Sequence, residues 1–132
     1  MKKIFLFLFT LAIGVSTLYA NPKYEFRASW MTTAASIDWP RQKTAEAQKA
    51  ELQQKLNALA MGNHNAVCLQ VRSFCDAIYK SSYEPWAICL TGTRGQDPGY
   101  DPLAFAIEEA HKRGLELHVW INPFRVTDKG VL

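Results

Sequence analysis

The amino-acid sequence predicts an α/β fold whose strands lie parallel in one sheet. Three apolar segments of strand composition alternate with two segments of helical periodicity, in the order strand, helix, strand, helix, strand. Consecutive strands joined through a helix pair in parallel by right-handed crossovers. An open doubly wound sheet and a closed (β/α) barrel both begin in this way. The stretch from Trp30 to Pro40 has no glycine, which argues against the glycine-rich turn of a dinucleotide site.

The first strand and the first helix are indicated by composition and spacing. Residues 25–31 have strand composition, and a loop through 38–40 follows them. The segment from about 43 to 61 predicts a helix, because three leucines form one apolar stripe: Leu52, Leu56 and Leu59. Gly62 is predicted to end this helix.

The second helix has clear signals at both ends. Asp101 is a good N-cap, Pro102 suits the first helical position, and Gly114 can adopt the left-handed conformation after the last turn. Lys112 and Arg113 lie at the negative end of the helix dipole. The predicted buried stripe consists of Leu103, Ala106, Ile107 and Ala110.

The other two strands are predicted over 65–72 and 115–122, and their side chains alternate between two faces. One face is aliphatic and suits covering helices. The other ends in Arg72 and Asn122, at the carboxyl ends of neighbouring strands, where parallel α/β folds bind their ligands. For Arg72 we weigh ligand contact against a structural ion pair with Asp76 or Glu116. On this face we expect His118 to be a core histidine and Trp120 to be core or pocket floor.

The segment 73–100 is 28 residues long and reads mostly as loop because of its glycines and prolines. The usual connection between strand and helix is about 2–6 residues, and long loops are often functional. This one is rich in aromatic residues: Tyr79, Tyr83, Trp86 and Tyr100. Aromatic faces stack on the C–H faces of sugar rings, so a glycan cleft is one interpretation, and self-packing of a large loop is the other.

The first twenty residues are typical of a secretory signal peptide. Lys2 and Lys3 precede an apolar core over 4–15, and cleavage after Ala20 is predicted. The apolar stretch is short for a membrane span, so we expect no stable span after cleavage and an exported, periplasmic or extracellular protein. Without the two lysines, 13 basic side chains face 12 acidic ones, which gives no basic footprint for nucleic acid.

The length of 132 residues limits the size of the domain that this chain can form, and its three cysteines limit the disulfides. One ordinary domain fits this length, whereas an eight-stranded barrel needs roughly 250 residues. Cys68, Cys75 and Cys89 have no metal-binding spacing, and no metal or cofactor is predicted. A bridge between Cys75 and Cys89 is one interpretation in an oxidising compartment, and three free thiols are the other.

Several sequence blocks together resemble the start of the glycosyl hydrolase-like 10 family, which was long catalogued as a bacterial domain of unknown function. The resemblance covers essentially all of residues 25–125. The blocks that carry it include EFRASWM at 25–31, IDWP at 37–40, SSYEPW at 81–86, PGYDPL at 98–103 and HVWINPFR at 118–125. Ser73 stands where members of the family commonly have Pro.

This resemblance implies a TIM-type (β/α)8 barrel, of which 21–132 would be the incomplete N-terminal part, in an exported bacterial protein acting on a glycan. Some relatives are connected with peptidoglycan strands, and another polysaccharide is equally compatible. The substrate-binding residues that we carry over or single out are Arg72, Asp76, Tyr79, Trp86, Asn122 and Arg125. No oligomeric state is predicted.

Catalytic residues are expected after Leu132, since glycoside hydrolysis ordinarily needs two carboxyl groups and related barrels place them on later strands. Asp76 is predicted to bind substrate or support the site rather than to act as the acid. The alternatives to a hydrolase fragment are a non-catalytic glycan-binding barrel and an inactive stand-alone fragment.

Overall fold

The computed structural model describes residues 25–126, and the predicted signal peptide at 1–20 lies outside this range. Three strands form one parallel sheet in sequence order: β1 (Ala28–Met31), β2 (Ala66–Arg72) and β3 (Glu116–Ile121). The parallel α/β prediction is therefore confirmed. No helix between residues 25 and 126 is long and apolar enough to cross a lipid bilayer.

The helix between β1 and β2 is α1 (Ala45–Met61), which follows a short 3-10 turn at Ala34–Ser36. Its leucine stripe is confirmed, since Leu52 and Leu56 are buried and Leu59 packs beside them. Gly62 follows the helix as predicted, but its φ is −77°. Asn63, with φ of 61°, is the left-handed residue. Asn tolerates this conformation because its short polar side chain bonds locally.

Two helices lie between β2 and β3. The first, α2 (Ile88–Thr91), is a single turn within the segment that the sequence predicted as loop. The second, α3 (Pro102–His111), begins as predicted, with Asp101 Oδ1 accepting a hydrogen bond from the Ala104 N–H at 3.0 Å. Gly114 is left-handed, with φ of 69°.

The predicted stripe of α3 is wrong at one position. Ile107 is 37% exposed, whereas Glu109 is 4% exposed. Glu109 tolerates burial because Lys112 Nζ and Arg113 Nη1 each lie 2.8 Å from its carboxylate. Hydrogen bonds from these two cations lower the pKa of Glu109 to about 2. Helical periodicity alone does not identify a charged residue that carries its own partners.

The hydrophobic core lies between one face of the sheet and the helices. Its centre is formed by Val67, Leu69 and Val71 of β2, packed with Leu52 and Leu56 of α1. Each of these side chains is at most 3% exposed. Burial of one such side chain stabilises the fold by roughly 1.5–3 kcal/mol relative to exposure.

The opposite face of the sheet carries aromatic pairs. The rings of Trp30 and Trp120 meet edge to face with centroids 5.0 Å apart, and those of Phe26 and His118 with centroids 5.3 Å apart. Trp30 is 67% exposed. The prediction of a core histidine is wrong for the described residues, because His118 is exposed and lies 3.0 Å from Glu116 Oε2.

Two aliphatic side chains of β3 also differ from their predicted environment. Val119 and Ile121 belong to the aliphatic face, yet each is more than half exposed among the described residues. Within the described range β3 pairs with β2 on one side, and no further strand lies on its other side.

Candidate functional site

Arg72, at the end of β2, is the centre of a polar cluster. Its Nε donates to both carboxylate oxygens of Glu84, at 2.7 and 2.9 Å, and its Nη1 donates to the backbone carbonyl of Asn122. Its Nη2 lies 3.0 Å from Cys75 Sγ. Hydrogen bonding to Glu84 raises the pKa of Arg72, so the guanidinium is charged throughout. We call Arg72, Glu84, Asn122 and Cys75 the strand-end cluster.

The ion-pair partner of Arg72 differs from the sequence prediction. We proposed Asp76 or Glu116 as the alternative to ligand contact, and the structure pairs the guanidinium with Glu84. Glu84 lies 12 residues after Arg72, and the backbone folds back between them, with Ala77 bridging both Arg72 and Trp86. The sequence spacing does not predict that the backbone folds back here, although Glu84 belongs to the SSYEPW block that carries the family resemblance.

Asn122 follows β3 and meets the cluster from the neighbouring strand. Its backbone N–H donates to the carbonyl of Arg72 at 3.0 Å, and its side-chain Oδ1 accepts from Trp120 Nε1 at 2.9 Å. Arg72 and Asn122, predicted together at adjacent strand ends, are therefore brought together. Asn122 is half-buried.

Arg125 lies beside the loop that follows β2. Its guanidinium carbon is 4.4 Å from the ring centroid of Phe74, which is cation–π geometry. This contact ties the segment after β3 to the one after β2. Phe74 was not predicted from the sequence, since a single aromatic residue after a strand carries no distinguishing pattern.

Asp76 is buried, with 2% of its surface exposed. Its Oδ1 accepts from the Phe74 N–H at 3.1 Å, and its Oδ2 accepts from the Ile88 N–H at 3.3 Å, so it holds the loop against the start of α2. It lies close to Cys89, and burial raises the pKa of the Cys89 thiol to about 12. All three cysteines are free thiols in the structure.

Tyr79 and Trp86 occupy a different place from the strand-end cluster. Both are half-buried and pack against the hydrophobic core, which anchors the long loop. Trp86 also lines a surface pocket with Lys80, Asp97 and Tyr100. The six predicted binding residues therefore divide into Arg72, Asp76, Asn122 and Arg125 near the strand ends and the two aromatics against the core.

A buried glutamine organises the loop after β1, and sequence reasoning missed it. Gln70 Oε1 accepts from the backbone N–H groups of Thr33 and Ala34, at 3.0 and 2.9 Å, and from the Thr32 hydroxyl at 2.6 Å. Gln70 is 1% exposed. The signal was a polar residue inside an otherwise apolar strand, which requires partners when it is buried.

Among residues 25–126 there is no cluster of histidine, cysteine and acidic side chains suited to a metal ion. The acidic groups nearest the strand ends are both engaged: Glu84 with Arg72, and Asp76 with two backbone N–H groups. Beside these occupied groups, the strand ends present polar side chains and aromatic rings. Such a combination can bind a polar ligand through directed hydrogen bonds.

Comparison with known proteins adds to this geometry. The family model described as glycosyl hydrolase-like 10 matches residues 25–130. The chain belongs to the glycosyl hydrolase-like 10 family. It is 44% identical to a protein named glycosyl hydrolase YngK from Bacillus subtilis (strain 168), over 96% of this chain and 26% of that relative. It is 37% identical to a protein named glycosyl hydrolase DigH from Escherichia coli (strain K12), over 76% of this chain and 25% of that relative.

The chain spans about a quarter of the length of the curated relatives it matches. Membership of the glycosyl hydrolase-like 10 family confirms the resemblance drawn from the sequence blocks. Each block is short, but their order over about a hundred residues identified the family.

Proposed function

We propose that this chain is the N-terminal part of an exported TIM-type barrel protein that binds and hydrolyses a glycan, either peptidoglycan strands or another polysaccharide. The observation that carries this proposal is the meeting of Arg72 and Asn122 at the carboxyl ends of two parallel strands. In parallel α/β folds this edge of the sheet is where ligands bind. Family membership supplies the reaction class.

The two faces of the sheet support barrel closure. One face is covered by α1 and α3, whereas the other exposes Trp30 and Phe26 beside paired rings. A barrel interior is filled by side chains from all its strands. Further strands pairing with β3 would cover these rings and leave the strand-end cluster at the rim.

In this proposal the described segment binds the glycan, and the catalytic carboxyl groups lie in later parts of the full-length protein. Hydrolysis needs one carboxyl group as acid and a second as nucleophile or base. The carboxylates of Glu84 and Asp76 are both bound to structural partners, and protonation of either carboxylate would weaken those contacts. We therefore assign neither residue as a catalytic group.

The test is an assay of reducing ends released from peptidoglycan strands and from a panel of soluble polysaccharides by the full-length gene product. We expect release from at least one glycan and none from the purified 132-residue polypeptide. Release by the short polypeptide would contradict the assignment of the carboxylates. Failure of the full-length product to bind or cleave any glycan would overturn the proposal.

A non-catalytic glycan-binding protein is the second candidate, and the engagement of Glu84 and Asp76 favours it for this segment. The same assay, combined with a pull-down on insoluble glycan, separates the two. Binding without release of reducing ends indicates the binding protein.

Export is tested by fractionating cells that express the full-length gene product. We expect the mature protein outside the cytoplasm, with its N-terminus at Asn21. An intact N-terminus in the cytoplasmic fraction would contradict this part of the proposal.

A further inference from the structure

Gln70 lies in β2, two residues before Arg72, at a place where the sheet is irregular. Its partner in β3 is Trp120, so it belongs to the sheet face that carries the Trp30–Trp120 ring pair. The register between β2 and β3 shifts between Gln70 and Arg72. Such bulges are frequent beside binding sites, where they re-aim a side chain. Gln70 is also close to the carboxyl end of its strand, where parallel sheets bind ligands.

The side-chain oxygen of Gln70 has three protein donors. Oε1 accepts from the backbone N–H groups of Thr33 and Ala34, at 3.0 and 2.9 Å. It also accepts from the Thr32 hydroxyl at 2.6 Å. Two of these donors are backbone N–H groups, which cannot accept a hydrogen bond, so the oxygen and the nitrogen of the amide cannot exchange places. The orientation of the amide is therefore fixed by the loop after β1.

The side-chain nitrogen of Gln70 differs from the oxygen, because it makes no hydrogen bond to residues 25–126. No buried side-chain nitrogen or oxygen in this range lacks a partner, so Nε2 is not enclosed. The residue as a whole is 1% exposed, and this small exposed surface includes Nε2. A narrow opening therefore gives solvent or a ligand access to the two N–H groups of an otherwise buried amide.

The contacts to Oε1 also make the Nε2 group of Gln70 a better donor. Hydrogen bonds accepted by an amide oxygen polarise the amide, which strengthens the bonds that its N–H groups donate. Because the side chain is already immobilised, a ligand that accepts from Nε2 orders no further side chain of the protein. Arg72 offers a contrast, since its guanidinium already contacts Glu84, Cys75 and the Asn122 carbonyl.

We propose that Gln70 contacts the glycan directly, with Nε2 donating a hydrogen bond to a hydroxyl oxygen of one sugar residue. A sugar hydroxyl suits this donor because it accepts a hydrogen bond and keeps its own hydrogen for a second partner. Through Oε1 the same side chain holds the loop after β1, so one residue joins the loop to the ligand. This assignment rests on the proposed glycan function and adds a binding residue to it.

The test separates the two halves of the amide. Gln70→Glu keeps an acceptor oxygen for the three donors and replaces the N–H groups with a second oxygen. The full-length variant and wild type are compared by urea unfolding and by their affinity for peptidoglycan strands and the soluble polysaccharides of the reducing-end assay. We expect Gln70→Glu to keep the wild-type urea midpoint. Its glycan affinity should fall about fivefold to tenfold, because the hydroxyl oxygen then faces an oxygen instead of a donor.

Gln70→Met is the second variant, and it removes the acceptor together with the donor. It should lower both the urea midpoint and the glycan affinity, because the N–H groups of Thr33 and Ala34 lose their acceptor. Gln54→Glu makes the same chemical change at an exposed position of α1. It is the matched control and should change neither quantity.

Wild-type glycan affinity in Gln70→Glu would overturn the direct contact while leaving glycan binding intact. An equal fall of the urea midpoint in Gln70→Glu and Gln70→Met would also overturn it, because Nε2 would then bind another part of the full-length protein. Absence of wild-type binding to every glycan tested would overturn the proposed function itself.

Discussion

Arg72 and Ser73 are neighbours in the chain, yet their side chains differ in the number of hydrogen-bond partners that the protein supplies. The Arg72 guanidinium contacts Glu84, Cys75 and the Asn122 carbonyl. Ser73 is 3% exposed as a residue. Its hydroxyl group makes no hydrogen bond to residues 25–126, and since no buried side-chain polar atom in this range lacks a partner, the hydroxyl oxygen is reached by solvent. Arg72 ends β2 and reaches the strand-end cluster, whereas Ser73 follows the strand and lines a cavity between the loops after β1 and β2. Removing a side chain that has protein partners costs the fold more than removing one that has none, so the two positions should differ in their effect on stability.

The largest expected effect on stability is at Arg72. Arg72→Met leaves the Glu84 carboxylate without its ion pair in a half-buried place, with side-chain exposures of 15% and 20% for the two partners. We expect the free energy of unfolding to fall by about 2–3 kcal/mol, somewhat less than for a fully buried pair. Urea unfolding of the full-length gene product measures it.

The double variant Arg72→Met with Glu84→Gln is the control, because it removes the stranded charge together with its partner. We expect it to recover part of the lost stability. If Arg72→Met leaves the free energy of unfolding unchanged, the ion pair with Glu84 does not stabilise the fold and the comparison fails.

A second, intermediate effect is expected at Glu109, another buried charge with its own partners. Glu109→Gln weakens the hydrogen bonds from Lys112 and Arg113 and should cost about 1.5–3 kcal/mol near neutral pH. Because folding lowers the pKa of Glu109 from 4.5 to about 2, its contribution is complete above 4.5 and is lost as the pH falls toward 2.

Urea unfolding of both proteins at about pH 6 and about pH 2.5 measures this dependence. The stability difference between wild type and Glu109→Gln should narrow at the lower pH. Glu108→Gln is the matched control, since Glu108 contacts the same Lys112 from an exposed position, and it should cost below about 0.5 kcal/mol. A difference that is constant with pH would refute the assigned role of Glu109.

The smallest expected effect on stability is at Ser73. Since its hydroxyl has no partner in residues 25–126, Ser73→Ala should change the free energy of unfolding by less than about 0.5 kcal/mol. Urea unfolding provides the measurement, with Ser82→Ala, which removes an exposed hydroxyl from the same loop, as the matched control. A loss above 1 kcal/mol, roughly the contribution of one hydrogen bond, would mean that Ser73 has a structural partner after all.

Much of the fold followed from the sequence because its signals are local. The leucine stripe of α1, the Asp101 cap and the left-handed Gly114 depend on residues within a turn or two of one another. Parallel pairing followed from element order through the handedness of crossovers. The meeting of Arg72 with Asn122 followed in turn, since carboxyl ends of parallel strands share one edge.

Contacts between distant residues were decided by the tertiary structure. Three features depend on how distant segments pack against one another. They are the pairing of Arg72 with Glu84, the burial of Glu109 and the contacts of Gln70 to the loop after β1. The sequence by itself determined the order of elements, the leucine stripe of α1 and the family. The tertiary structure alone decided that Arg72 pairs with Glu84, because hydrogen-bond partners are fixed by distance in space and not by separation along the chain.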